Sequence, residues 1–233
     1  MTTRIAVLAS GGGSNLQALM DHLDARGSER GGEIVLVATD RPGAGVLERA
    51  SERRIATATI SGTPDSLSRL LEEHGIELIA LAGYLCFVPD KVTKKYAGKI
   101  VNVHPSLLPA FGGAGMYGMK VHQAAIDAGV RVSGATVHFV DSQYDHGAII
   151  AQWPVPVYPM DDARTLAARV LTVEHLLFPR VVDALAASRI RLTTGNRVSG
   201  SVTWQGTNED QLFAIASSHS AEIAGTIDAL LQR

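Results

Sequence analysis

The 233-residue chain has a single cysteine, Cys86, so an internal disulfide is excluded and a reducing compartment, the cytoplasm, is the expectation. It has no excess of positive charge. Lys plus Arg number 21 against 23 Asp plus Glu, a net charge of −2. That balance argues against a nucleic-acid partner and against attachment to an anionic membrane. Long apolar runs are missing as well. The longest, Leu78 to Val88, falls short of the ~20 residues that cross a bilayer, and Ile5 to Ala9 is too brief for a signal-peptide core. The eight histidines include no His-Glu-x-x-His pair and Cys86 has no partner thiol nearby, so no metal site is expected. Charged residues make up only 19% and apolar ones 46%, which excludes a disordered chain and is ample for a buried core.

What is present is an alternation of two periods. Arg4 to Ala9 is a compact apolar strand closed by Ser10-Gly11-Gly12-Gly13, and Leu16, Leu19, Met20 and Leu23 then mark one face of a helix. Glu33–Ala38, Ile55–Ile60, Leu78–Ala82 and Lys99–Val103 read as further strands. Helices are expected over Gly45–Arg54 and around Leu67, Leu70 and Leu71, the latter ending at His74-Gly75. Strands apolar on both faces that alternate with helices indicate an α/β, doubly wound, mostly parallel sheet. After Pro105 the pattern changes. Ser133–Val140 and Ala148–Trp153 read as added, antiparallel strands. Asp161-Asp162 open a long helix carrying Leu166, Val170, Val173, Leu177, Val181 and Leu185, with a kink expected at Pro179. Residues 189–206 look like a hairpin and Thr207–Arg233 like a closing helix. The expected division is a main domain over 1–188 with 189–233 packed on it.

Two constellations could carry chemistry. The turn Gly11-Gly12-Gly13-Ser14-Asn15 lies between strand and helix, where backbone N–H groups and the helix N-terminus favour a phosphate. It is not a Walker loop, and Leu16 stands where a dinucleotide fingerprint needs its third glycine. Asp40, after the second strand, could still mimic a ribose-binding acid, and a plain tight turn capped by Ser14 also fits. Asn102 and His104 end the fifth strand on one face, and Pro105 after them favours extended backbone. An amide and an imidazole there could stabilise an oxyanion and move a proton, or could simply satisfy backbone groups. His138 on its strand reads as a satisfied core residue.

Together, Ala9–Asn15, Leu81-Ala82-Gly83-Tyr84, Asn102–Pro109, Thr136–Val140, Asp145, Gly147 and Glu174-His175 give the chain its resemblance. It is similar to the folate-dependent formyltransferases of purine synthesis, over about residues 4–188. The resemblance implies a Rossmann-like formyltransferase fold and formyl transfer from 10-formyltetrahydrofolate, as co-substrate, to the amine of glycinamide ribonucleotide, without metal. It implies that Gly13, Ser14 and Asn15 hold the phosphate and Glu174 the ribose hydroxyls. Leu85, Cys86, Phe87 and Val88, with Asn102 and the loop Asp141–Asp145, would line the folate site. Asn102, His104 and Asp145 would be the catalytic trio, with Asp145 raising the His104 pKa. The chain departs from its relatives at Leu85-Cys86, at Leu171, and at Phe111–Met119, which reads as a longer, flexible loop. A 10-formyltetrahydrofolate hydrolase or a related folate-dependent formyltransferase is the alternative. The partners expected are small molecules, and a homodimer stays open.

Overall fold

The computed structural model describes residues 2–60, 62–194 and 197–200. Five strands, β1 (Thr3–Leu8), β2 (Gly32–Thr39), β3 (Ala56–Thr59), β4 (Leu78–Leu81) and β5 (Ile100–His104), are parallel. Two more, β6 (Val132–Phe139) and β7 (Ile149–Pro156), run antiparallel, completing a seven-stranded sheet of order β3-β2-β1-β4-β5-β6-β7. This is the doubly wound arrangement with an antiparallel addition that the hydropathy pattern predicted.

The alternation in β1 shows why both faces are covered. Ile5 and Val7 point into one apolar cluster, and Ala6 and Leu8 into the other. The first cluster packs helices α1 (Ser14–Arg26) and α2 (Gly45–Glu52) through Leu16, Leu19 and Val46. The second packs α3 (Pro64–Glu73) and α4 (Asp90–Lys95) through Leu67, Leu71, Val92 and Tyr96. After α5 (Met119–Asp127), the 24-residue α6 (Ala163–Ala186) joins the first cluster through Leu166, Val170, Leu177 and Val181. Asp162 caps α6 in a capping box. Its side chain accepts from the N–H groups of Arg164 and Thr165 at 2.9 and 2.8 Å, and its own N–H donates to Thr165 Oγ1 at 3.0 Å. Pro179 stands inside this helix.

Two helices were not expected. At six residues, α4 is too short to show a period, and α5 follows a glycine-rich stretch that obscures its start. The segment Phe111–Met119, read from sequence as a flexible loop, is tied to the site by its Phe111 carbonyl and its Gly113 N–H. At the far end, β8 (Ile190–Thr193) and β9 (Arg197–Gly200) form the expected hairpin, with Ile190 in the core. The helix expected over Thr207–Arg233 lies outside the described residues.

The strand order reverses at β1, with β2 on one side and β4 on the other. Ligands in open α/β sheets bind beyond the strand carboxyl ends at such a point. There the Ser10 N–H donates to Gly83 O at 3.0 Å, bringing the glycine turn beside the segment that follows β4.

Candidate active site

The glycine turn ends at Gly13, which is the N-cap of α1, so the plain turn capped by Ser14 is not what forms. Its φ of 77° is left-handed, and a Cβ there would lie 2.9 Å from Val46 Cγ2, so only glycine fits. No side chain caps α1 and its first turn holds no acid, which leaves the first N–H groups and the positive end of the helix dipole for a ligand. Asn15 follows, buried on the wall of a cavity of about 430 Å³. Its Nδ2 donates to Glu174 Oε2 at 2.7 Å, while its Oδ1 is buried with no partner. Glu174, brought over by α6 from 159 positions away, is itself 7% exposed. Burial pushes its carboxyl up to about 7, and the Asn15 hydrogen bond offsets only part of that.

Asn102 and His104 extend from β5 into the same cavity, and Asp145 closes over them from the loop between β6 and β7. Asp145 Oδ2 lies 3.5 Å from His104 Nδ1, and its Oδ1 lies 3.6 Å from His138 Nε2. Asp145 sits at φ 53°, and its Oδ2 accepts from the Gly113 N–H at 2.9 Å. The trio implied by the resemblance is therefore one cluster in space.

The His104 protonation differs from the expectation. Burial lowers the ring's pKa, and this outweighs the opposing effects of Asp145 and of the Phe111 carbonyl, 2.9 Å from Nε2. His104 is neutral at rest, and its two nitrogens face oxygen acceptors that welcome a second proton when one arrives. Burial acts to raise the Asp145 carboxyl as well. The His138 and His104 rings and the Gly113 N–H reverse that, so Asp145 stays ionised.

His138 has a task that its sequence did not reveal. Its Nδ1 donates to Phe139 O at 2.8 Å, and its Nε2 lies 3.1 Å from Asn102 Nδ2 as well as 3.6 Å from Asp145 Oδ1. The ring thereby fixes the Asn102 carboxamide. His138 pairs with Asn102 across the antiparallel β5–β6 ladder, which only the β6 register could have signalled.

Leu85, Cys86, Phe87 and Val88 line the same cavity, as do Asp141, Gln143 and Tyr144. Phe87 and Tyr144 meet edge to face, their centroids 5.2 Å apart. Met116, Tyr117 and Met119 from the loop Phe111–Met119, together with His122 and Leu171, also contribute; of these His122 was given no part in the site from sequence. Gly13 and Ser14 lie outside this lining, one step before Asn15. Cys86 is exposed, contrary to a thiol buried in apolar surroundings. Partial desolvation and its 3.3 Å hydrogen bond to Asp40 nevertheless push the thiol pKa up. Asp40 also accepts from the Ser10 hydroxyl, so both of its oxygens already have partners. Among the described residues, no group of three or more His, Cys, Asp or Glu could hold a metal.

An open sheet with a polar trio and a glycine turn at its switch point places this chain among α/β enzymes, and the formyl transferase family model matches residues 3–182. The chain belongs to the formyl transferase family. It is 38% identical over 197 residues to the chloroplastic phosphoribosylglycinamide formyltransferase of Arabidopsis thaliana, covering 81% of this chain and 67% of that protein. The crystal structure of phosphoribosylglycinamide formyltransferase from Anaplasma phagocytophilum superposes with a TM-score of 0.78 at 34% identity, covering 86% of this chain and 95% of that one. A formyltetrahydrofolate deformylase from Pseudomonas syringae also superposes, with a TM-score of 0.76, at 25% identity, over 86% of this chain and 66% of its own.

Proposed function

We propose that the chain is a phosphoribosylglycinamide formyltransferase, moving the formyl group of 10-formyltetrahydrofolate onto the amine of 5'-phosphoribosylglycinamide. The observation that carries this reading is the position of the Asn102, His104 and Asp145 cluster. All three line one cavity whose walls also include a polar pair, Asn15 with Glu174, and a mostly apolar segment, Leu85 to Val88. The first suits a ribose phosphate: the turn offers amide donors, and the unpartnered Asn15 Oδ1 needs a donor such as a hydroxyl. The second suits a flat, largely apolar ring system.

The chemistry forms a bond from the acceptor amine to the formyl carbon and breaks the bond to the folate nitrogen. One proton passes from the amine to that nitrogen. Asn102, oriented by His138, donates to the oxyanion that develops on the formyl oxygen, an interaction commonly worth ~3–4 kcal/mol. His104, neutral at rest, takes the amine proton in this reading, and Asp145 stabilises the imidazolium that results. We assign this chemistry to residues 1–188, with 189–233 as an appendage of the same domain, acting on small molecules in the cytoplasm. No helix among the described residues is long and apolar enough to cross a membrane.

A hydrolase would use water in place of the amine and would have no need of a phosphate turn. The test is direct: 10-formyltetrahydrofolate is mixed with the purified chain, with and without glycinamide ribonucleotide. Tetrahydrofolate release that requires the ribonucleotide is expected. Release at the same rate without it would identify the hydrolase.

A further inference from the structure

Two arginines stand one turn apart on or just beyond α2, in contrasting surroundings. Arg53 is neutralised by carboxylates: its Nη2 lies 2.8 Å from Asp21 Oδ1, and its Nη1 contacts Asp24. Arg49 meets neutral acceptors. Its Nε donates to Gly12 O at 2.7 Å and its Nη1 to Gln17 Oε1 at 3.3 Å. Among the described residues, Arg49 has no carboxylate within ion-pair distance. A guanidinium free of carboxylates is thus tethered to the glycine turn, where it adds positive potential for an arriving anion.

The tether also orients the turn. The Val46 N–H donates to Gly11 O at 3.1 Å, so two consecutive carbonyls, Gly11 and Gly12, are held by α2. In a trans peptide unit C=O and N–H point oppositely, so the Gly12 and Gly13 N–H groups turn away from α2. A separate observation marks a ligand beside the turn. Asn15, 8% exposed and on the cavity wall, keeps an unpartnered buried Oδ1 directly after the turn, an acceptor that calls for a donor such as a ligand hydroxyl next to the anion.

We propose that Arg49 is the positioning residue through which this site selects a phosphorylated acceptor, fixing the turn from behind and supplying the positive charge that its neutral amides lack. The proposal rests on the functional reading above for the identity of the acceptor, but not for the presence of the anion site.

Two measurements separate these. Inorganic phosphate is titrated into the full chain while the amide resonances of Gly12 to Asn15 are followed, which needs no turnover. Saturable shifts are expected in the wild type, with affinity reduced about tenfold in Arg49→Gln and less in Arg49→Lys, which keeps the charge but loses the Nε fork. In steady-state assays, Arg49→Gln should raise KM for glycinamide ribonucleotide about tenfold. Its kcat, its folate KM and its KM for the dephosphorylated nucleoside should stay unchanged. Phosphate titrations that are identical in wild type and variant, or absent in both, would overturn the proposal. So would an equal loss on both acceptors, which is the mark of a structural prop. If Arg49→Gln does not fold, Arg49→Lys carries the same comparison, and an unchanged phosphate preference together with unchanged phosphate affinity sinks the proposal. A wild type that never uses the ribonucleotide would refute formyl transfer to it, while the phosphate titration still decides the role of Arg49.

Discussion

Replacing Asp145 by asparagine keeps its shape and removes its charge. The carboxylate lies 3.5 Å from His104 Nδ1, and its side chain is 12% exposed. At an effective dielectric of ~20, unit charges at that distance attract by about 4–5 kcal/mol. In the proposed reaction this attraction appears only once His104 has taken the proton, because the ring is neutral at rest. The loss therefore falls on the transition state rather than on substrate binding, and about 4 kcal/mol corresponds to a ~10³-fold fall in the chemical step. Single-turnover rates at saturating substrates measure that step, and separate titrations check that both ligands still bind. His104→Ala should fall alike. The double variant should lose far less than the product of the two losses, since residues acting as a unit are non-additive. NMR titration of the His104 ring should show its pKa, already lowered by burial, fall further in Asp145→Asn. A turnover loss under tenfold, or fully multiplicative losses, would refute the pairing.

Glu174, with its carboxyl raised from 4.5 to about 7, holds more protons folded than unfolded between those values. The empty protein should therefore lose roughly 3 kcal/mol of stability as pH rises through that window. Denaturant melts from pH 4 to 8 should show this slope, and Glu174→Gln should flatten it; parallel curves would contradict the buried proton. Gly13→Ala drives a Cβ to 2.9 Å from Val46 and forces a left-handed backbone. It should lower the thermal midpoint and raise the ribonucleotide KM while sparing the folate KM, and an unchanged ribonucleotide KM would remove the turn from the site. Cys86 should alkylate slowly, more slowly with bound folate, and faster in Asp40→Asn, where the charge that raises its pKa is gone. Labelling that is indifferent to folate would take Cys86 out of the pterin wall. His138→Phe should free the Asn102 carboxamide and reduce kcat with both KM values unchanged, as measured in steady state. An unchanged kcat would deny His138 its orienting task.

Much of the architecture was local, and so legible in the sequence. The unbroken apolar runs at Ile5–Leu8 and Leu78–Leu81 announced strands covered on both faces, and Asp161-Asp162 marked a helix start. The Gly-Gly-Gly turn and the Asn102-Val103-His104-Pro105 step carried the site's chemistry in residues that adjoin one another. These features depend on backbone preference and on the period of apolar residues, which a few neighbours settle. Tertiary structure decided the rest. It paired Asn15 with Glu174 and set His138 behind Asn102. It set Asp40 against Ser10 and Cys86 and left Arg49 without a carboxylate among the described residues. It also reversed the expected shift of His104. From sequence, the ring's ionisation looked like a matter of one partner charge, Asp145. In the fold it is a balance between that charge and the loss of water around a 3% exposed side chain, and burial wins. Solvation and electrostatics at a site are summed over groups that only the folded chain brings within a few ångströms, so no local pattern encodes their sign.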